Sequence, residues 1–172
     1  GLRALIKSSG AKKATIIIEL DSEALQVMRT ETIPDSNIKV IATPTYYPPG
    51  TESTLAKKFA NKKVPRGSTP EDRGVLVTGI SALKALHDAL HDGIPMIKKM
   101  VTVAGAVRSP KNVLVEIGTS IGDVIEACGG CSGTPVKLIM NGAVSGAAQY
   151  TDEVSVIKTT AGILVQTESD IN

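Results

Sequence analysis

The sequence has very few aromatic side chains and very few cysteines. Of its 172 residues only 2% are aromatic, none is tryptophan, and two are cysteines. So few rings cannot build the repeated stacking platforms on which single-stranded nucleic acids bind. Two thiols are also too few for a secreted disulfide framework, or to ligate an iron–sulfur cubane by themselves. These shortages exclude several common binding classes before any motif is considered.

A charge excess of one sign and long apolar runs are also missing. Nineteen lysines and arginines against seventeen aspartates and glutamates leave a net charge of +2 at pH 7. This balance disfavours a dedicated nucleic-acid domain. No apolar run is long enough to span a membrane, and the first residues lack the apolar segment of a signal peptide. We therefore expect a cytoplasmic chain with no membrane span and no nucleic-acid partner.

The first half of the chain has a β-α-β order. Residues 15–20 form a β-branched run typical of a strand buried on both faces, and residues 38–41 form a second short strand. Asp21 or Ser22 is expected to cap the helix between them. This order predicts parallel pairing in a Rossmann-like module over residues 1–97.

Three further elements complete this module. A helix is predicted over residues 51–60 and a short strand over residues 75–77. Ser81 is expected to cap the next helix, with leucines along one face, and Gly93 to end it. His87 and His91 share a face of that helix, which we interpret as a solvated surface rather than a zinc site. No metal site is predicted.

The second half predicts a different architecture. Residues 100–103 and 113–117 form a hairpin, and Ser120 caps a helix over residues 121–128 that ends on two glycines. Short strands are predicted over residues 136–140, 154–156 and 163–165. This order resembles a small β-grasp module over residues 98–150, with residues 151–172 returning to the core.

Two segments together carry a family resemblance. The run Tyr-Pro-Pro-Gly-Thr-Glu at residues 47–52, followed by Val-Pro-Arg-Gly at 64–67, is similar to a stretch of the C subunit of the Rnf electron-transport complex. The run Val-Thr-Val-Ala-Gly-Ala-Val at residues 101–107 and the glycine pair at 129–130 resemble the soluble-ligand-binding β-grasp (SLBB) module of the same protein family. The joint order of these pieces, over nearly the whole chain, is more specific than any one of them.

This resemblance implies an electron-transfer subunit of a nicotinamide- or ferredoxin-linked oxidoreductase. Its Rossmann-like module would be akin to the nucleotide-binding subunit of respiratory complex I, and FMN or NADH would be the cofactor of the full-length protein. A glycine-rich loop upstream and a downstream domain with 4Fe-4S clusters are expected outside this chain, which would then be a core fragment and not catalytic alone. The implied partners are other subunits of an electron-transfer or reductase complex, which would attach it to the membrane, and a ferredoxin-like carrier. The proline-reductase-associated branch is one candidate.

Four residues are candidates for cofactor binding. Exposed amides at Gly50 and Thr51, just before a helix, could receive a phosphate, and Glu52 could accept from a ribose hydroxyl. The alternative is an ordinary helix start, in which Thr51 is the cap and Glu52 complements the helix dipole. The family usually has an asparagine near the end of a following strand, where this chain has Thr78, whose hydroxyl offers a single donor.

The motif Cys128-Gly129-Gly130-Cys131 is chemically the most suggestive. A C-x-x-C pair can cycle between dithiol and disulfide, can bind metal, or can be structural. The negative end of the preceding helix disfavours a thiolate on Cys128, whereas Cys131 lies beyond two glycines. If the pair is redox-active, Cys131 is therefore the predicted attacking thiol and Cys128 the resolving one.

The competing hypothesis is a binding module without chemistry. In that case the β-grasp module would hold a ligand or another protein of the complex, and both cysteines would be structural. Lysines at residues 57–58, 62–63 and 98–99 could steer an acidic electron carrier or simply keep the surface soluble.

Overall fold

The computed structural model describes residues 1–44 and 51–171. These residues form two compact units, Gly1–His87 and Asp88–Asn172, called here the first and the second unit. Within the described ranges, no helix has both the length and the apolar character needed to cross a membrane.

The first unit contains a parallel β-α-β arrangement, as the sequence predicts. Its two strands pair in parallel, with Ala14 opposite Ile38 and Glu19 opposite Thr43. Arg3 of the first helix forms an ion pair with Asp35, in which Nη2 lies 2.6 Å from Oδ2. The elements are α1 (Leu2–Ser9), β1 (Ala14–Glu19), α2 (Ala24–Glu31), β2 (Ile38–Thr43), α3 (Glu52–Ala60), a 3-10 turn (Glu71–Arg73) and α4 (Ile80–His91), which runs past the boundary between the units.

Two predictions about the β-α-β arrangement were wrong. No residue of β1 is buried, because the described part of this unit has a sheet of two strands, too small to be covered on both faces. The helix α2 begins after Glu23 and receives no side-chain cap, so Asp21 and Ser22 do not cap it.

The region before α4 also differs from expectation. Residues 75–77 are not a strand, because no strand of the described structure pairs with them. Ser81 lies inside α4, which already begins at Ile80, so it is not a cap. Leu90 is 61% exposed and does not extend the apolar face. Gly93 follows the helix in the left-handed conformation, with φ of 68°, as expected for a helix end.

The second unit is a five-stranded sheet with one helix against it. The strand order is β4-β3-β7-β5-β6, in which β3 and β7 are parallel and the other pairs are antiparallel. The predicted hairpin is confirmed as β3 with β4. The elements are β3 (Lys98–Gly105), β4 (Lys111–Glu116), α5 (Ile121–Glu126), β5 (Lys137–Met140), β6 (Ala147–Gln149), β7 (Gly162–Gln166) and a 3-10 turn (Glu168–Asp170). Residues 154–156 are not a strand; Ser155 makes only an isolated bridge to Ser120.

The core of the second unit lies between α5 and one face of the sheet. Alternate residues of β3, Val101 and Val103, are fully buried. Ile163 and Val165 of β7 are at most 1% exposed. The predicted cap of α5 is confirmed, since the Ser120 hydroxyl accepts a hydrogen bond from the Asp123 amide at 3.1 Å. The expected combination of a Rossmann-like module and a β-grasp module is thus the fold of this chain.

Candidate functional site

The start of α3 carries two of the predicted cofactor residues. Thr51 is the residue before the helix, but its hydroxyl donates to Thr54 Oγ1 at 2.7 Å and caps no helix amide. Glu52 lies exposed in the first turn. The amides at this helix end are therefore not satisfied by the expected side-chain cap. Gly50 lies outside the described residues.

A lysine ammonium lies at the carboxyl end of β2. Lys58 Nζ is 3.4 Å from the hydroxyl oxygen of Thr43, the buried last residue of that strand. The same ammonium is 5.3 Å from the centre of the Phe59 ring. In open α/β sheets ligands bind outside the carboxyl ends of the strands. The sequence did not predict this contact. The lysine pairs along the chain indicate positive charge in this region, but they do not say which strand a lysine contacts.

A shallow groove runs along α3. It has a volume of ≈ 580 Å³ and is lined by Ser53, Thr54, Lys57, Lys63, Val64 and Pro65. Thr78 is exposed and is not part of this lining. Over residues 1–44 and 51–171, no hydrogen bond links Thr78 to Thr51 or Glu52. The structure thus places Thr51 and Glu52 together and does not join Thr78 to them.

The two cysteines occupy different environments. Both thiols are free; Cys128 is fully buried in the core of the second unit, and Cys131 is half-buried. The chain closes α5 with hydrogen bonds from the Gly129 amide to the Glu126 carbonyl and from the Gly130 amide to the Ile125 carbonyl. This is a Schellman closure, for which the left-handed φ of 86° at Gly129 is needed.

The segment that carries the cysteines is also held by a neighbouring loop. The Ser109 amide donates to the Cys128 carbonyl, and the Arg108 amide donates to the Gly130 carbonyl, both at 3.0 Å. Val107 and Cys131 form an isolated antiparallel bridge. The backbone around both thiols is therefore fixed on two sides.

Cys131 also lines a groove, which we call the acidic groove. Its volume is ≈ 410 Å³. Carboxylates dominate its polar lining, and no lysine, arginine or histidine belongs to it. The lining residues are Ser120, Gly122, Asp123, Ile125, Glu126, Cys131, Pro135, Leu138, Asp152 and Glu153.

Sequence reasoning missed the carboxylates of this groove. Asp123 and Glu126 are three residues apart on α5, so the sequence alone could have predicted that both carboxylates lie on one face of this helix. Asp152 and Glu153 come from a distant part of the chain, and only the folded structure brings them to α5. Among residues 1–44 and 51–171, no group of three or more histidine, cysteine or carboxylate side chains is arranged to hold a metal ion.

Two family models match the chain in succession. Residues 1–88 match the Nuo51 FMN-binding domain, and residues 100–146 match the SLBB domain. The first match alone covers half of the chain, and together they follow the two units of the structure.

Relatives among known proteins align with nearly the whole chain. The C subunit of an ion-translocating oxidoreductase complex from Methanosarcina acetivorans is 36% identical over 99% of this chain and 44% of its own length. The C subunit of a proton-translocating ferredoxin:NAD(+) oxidoreductase complex from Clostridium ljungdahlii is 35% identical over 100% of this chain and 38% of its own length. The C subunit of a Na(+)-translocating complex of the same kind from Acetobacterium woodii is 32% identical over 98% of this chain and 38% of its own length.

The chain therefore spans less than half the length of these relatives, while almost all of it aligns with them. It belongs to the Nuo51 FMN-binding domain family and is similar to the C subunits of ion-translocating oxidoreductase complexes.

Proposed function

We propose that this chain is the core of an electron-transfer subunit of a nicotinamide- or ferredoxin-linked oxidoreductase complex, attached to the membrane by its partner subunits. The observation that carries the proposal is the succession of an FMN-binding domain and an SLBB domain in one chain, with relatives from ion-translocating complexes aligned along almost all of it. The first unit contributes to the FMN or NADH site, and the second unit positions a partner. Iron–sulfur clusters belong to a further part of the full-length protein.

The residues at the start of α3 fit a phosphate-bearing cofactor. The amides there are not capped by the Thr51 side chain, and a helix N-terminus attracts anions. The Lys58 ammonium adds a positive charge at the carboxyl end of β2. Bound FMN supplies the ability to take a hydride from a nicotinamide and release its electrons singly. In this chain, the α3 amides bind the anionic edge, Glu52 accepts from a cofactor hydroxyl, and Thr78 is a weaker candidate donor.

The test is FMN binding by the full-length protein and its variants. Glu52→Gln removes the charge of the acceptor, so we expect about tenfold weaker FMN or NADH binding, the loss of roughly one charged hydrogen bond. Glu71→Gln, which changes another exposed carboxylate of the first unit, is the control and is expected to bind normally. Affinity is read by flavin fluorescence and by NADH titration of the flavin-loaded protein. A full-length protein that binds neither compound, or a Glu52→Gln variant equal to the control, contradicts the proposal.

We also propose that Cys128 and Cys131 form a redox pair. The difference in burial between them supports the predicted order of events: Cys131, the less buried thiol, attacks, while Cys128, enclosed in the core, resolves. Two glycines with positive φ lie between the thiols, so the backbone turns back on itself between them.

This second proposal is tested by equilibration of the full-length protein in dithiothreitol buffers of graded redox poise. Free thiols are alkylated, and the peptides are identified by mass spectrometry. We expect one two-electron transition to a Cys128–Cys131 disulfide, lost in Cys131→Ser while that variant keeps its circular dichroism spectrum. If both thiols stay reduced in every buffer in which the protein remains folded, the cysteines are structural and the alternative of a binding module is favoured.

A further inference from the structure

The two edges of the sheet in the second unit differ in length. The edge strand β6 has three residues (Ala147–Gln149), whereas β4, at the other edge, has six (Lys111–Glu116). A very short strand is one way in which proteins prevent a sheet edge from pairing with another chain, and β4 lacks this protection. It also contains no proline, and its register with β3 has no bulge. The edge at β4 is therefore the one that can accept a further strand.

The register of β3 with β4 determines which backbone groups of β4 point away from the sheet. The Ile117 amide donates to the Ile97 carbonyl at 2.9 Å, so these two residues are a hydrogen-bonded pair. Bonded and non-bonded pairs alternate in an antiparallel ladder. Asn112, Leu114 and Glu116 therefore direct their amides and carbonyls outward. Within the described part of the chain, none of these three amides donates a hydrogen bond.

Two exposed apolar side chains lie next to each other at this edge. Leu114 is directly opposite Met100 in a non-bonded pair, the arrangement in which side chains of neighbouring strands come closest. Leu114 is 62% exposed and Met100 is 50% exposed. Both point to the face of the sheet away from α5, because the residues that follow them, Val101 and Val115, belong to the core. A strand added to β4 extends this apolar row if it places an apolar side chain opposite Leu114.

The outward-facing residues of β4 complement a second copy of the same strand. Two β4 strands related by a two-fold axis at Leu114 run antiparallel, with Leu114 opposite its own equivalent and Asn112 opposite Glu116. Asn112 Oδ1 accepts from the Thr102 hydroxyl at 2.7 Å, which leaves the side-chain nitrogen to donate. The Glu116 carboxylate, with one oxygen 3.5 Å from Lys98 Nζ, is an acceptor on the same face. Each outward-facing side chain of one strand thus meets a suitable partner on the other.

The charges at the two ends of β4 favour the same arrangement. Lys111 begins the strand and Glu116 ends it. Antiparallel copies bring the cationic end of one strand beside the acidic end of the other, whereas parallel copies would bring like charges together.

We propose that two copies of this protein associate through β4, which joins their five-stranded sheets into one continuous antiparallel sheet across a two-fold axis at Leu114. The apolar pair Met100 and Leu114 of one copy then continues into the same pair of the second copy. The Glu116 carbonyl accepts from the Thr119 amide at 3.2 Å, and its second lone pair is available to the Asn112 amide of the second copy. This association is independent of the cofactor and redox roles proposed above.

The test is the mass of the full-length protein in sedimentation velocity over a range of concentrations. We expect a monomer at low concentration and a dimer at high concentration, by mass action. Leu114→Lys places two ammonium groups opposite each other at the axis, and Leu114→Glu places two carboxylates there. Each variant should therefore dimerise at least about tenfold more weakly than the unchanged protein.

A mixture of the two variants separates a lost interface from a lost fold. When Leu114→Lys and Leu114→Glu are combined in equal amounts, an ammonium lies opposite a carboxylate, so the dimer should be recovered. An unfolded variant could not recover it. Val144→Lys is the control, because it changes an apolar side chain of the same unit that is 75% exposed and lies outside β3 and β4. This variant should dimerise like the unchanged protein.

Hydrogen exchange separates pairing at the strand edge from packing between sheet faces. The amides of Asn112, Leu114 and Glu116 should exchange at least about tenfold more slowly in the dimer than in the monomer, because they then donate to the second copy. A dimer in which these amides keep the exchange rate of the monomer associates through another surface and overturns the proposal.

Three further results would also overturn it. The first is a full-length protein that stays monomeric at every concentration. The second is a dimer that Leu114→Lys weakens no more than Val144→Lys does. The third is a mixture of Leu114→Lys and Leu114→Glu that stays monomeric although both variants keep the circular dichroism spectrum of the unchanged protein.

Discussion

The two units of the chain bury their apolar residues very differently. Among the described residues of the first unit, Ala56 and Pro70 are the buried apolar side chains, whereas Ile33 and Ile80 are 78% and 72% exposed. The second unit has a continuous core between its sheet and α5. Both units contain β-branched strands, so strand composition alone does not produce a core.

The difference arises from how many strands each sheet has. Two strands flanked by short helices cannot enclose a core, and a two-stranded sheet has little stability of its own. Five strands give the second unit an inner face on which alternate residues of β3 and β7 meet α5. The second unit therefore has a continuous core of its own, whereas the described residues of the first unit do not form one.

The largest effect is expected from one matched pair of isoleucines. Ile163→Ala, in the core of the second unit, should lower the free energy of unfolding by about 2–5 kcal/mol, since it removes fully packed atoms and leaves a cavity. Ile33→Ala should change it by about 0.5 kcal/mol or less, because that side chain is mostly in solvent. Hydrogen exchange of peptides from each unit, followed by mass spectrometry, measures both. Similar costs at the two sites would contradict the difference in burial.

A smaller effect is expected at the residues that precede α5 and α3. Ser120→Ala removes the hydroxyl that accepts from the Asp123 amide, so α5 should lose about 1 kcal/mol of stability. Thr51→Ala should cost no more than a few tenths of a kcal/mol, since its hydroxyl bonds Thr54 and caps no amide of α3. Urea denaturation of the cofactor-free protein gives both values. If Thr51→Ala is the costlier change, the first unit depends on a cap that the structure does not contain.

The smallest effect concerns the end of the second unit. The Asp170 carboxylate accepts hydrogen bonds from the Thr167 amide and hydroxyl, which lower its pKa below the usual 3.8. The hydrogen bonds stabilise the charged carboxylate in the folded state only. Their contribution to stability is therefore complete above pH 3.8, the usual pKa of the group, and is lost as the pH falls through the lowered pKa of the folded state. An NMR titration of the carboxyl carbon should show the low pKa. Thr167→Val should raise the pKa of Asp170 only in part, because the hydrogen bond from the backbone amide of residue 167 remains. A full return to 3.8 would mean that the hydroxyl alone lowers the pKa.

Sequence reasoning succeeded where a short local motif determines the geometry. Ser120 followed by an apolar helix was sufficient to predict the start of α5, whereas the helix ends at Glu126, two residues before the predicted end at Cys128. The hairpin of β3 and β4 and the parallel order of β1 and β2 also follow from local patterns. In each case the residues that decide the structure are neighbours along the chain.

It failed where the outcome depends on distant partners. A triplet such as residues 75–77 becomes a strand only beside another strand, and the described structure offers none. The apolar residues of β1 predict burial, but burial requires a covering layer that local sequence cannot guarantee. The acidic groove was missed for the same reason, because Asp152 and Glu153 reach α5 only through the fold. The candidate cofactor residues Thr51 and Glu52 are adjacent in sequence and could be proposed, whereas the contact of Lys58 with the end of β2 could not.

The position of β7 in its sheet has a consequence for synthesis on the ribosome. Thr102 pairs with Gly162, so the parallel partner of β3 emerges about sixty residues after it, and β7 also separates β3 from β5. Until β7 has left the exit tunnel, the hairpin and α5 have no centre to pack around, and β3 and β5 each present an unpaired edge. Nascent chains of this protein therefore expose those edges until about sixty further residues have been added, and unpaired strand edges of this kind favour aggregation.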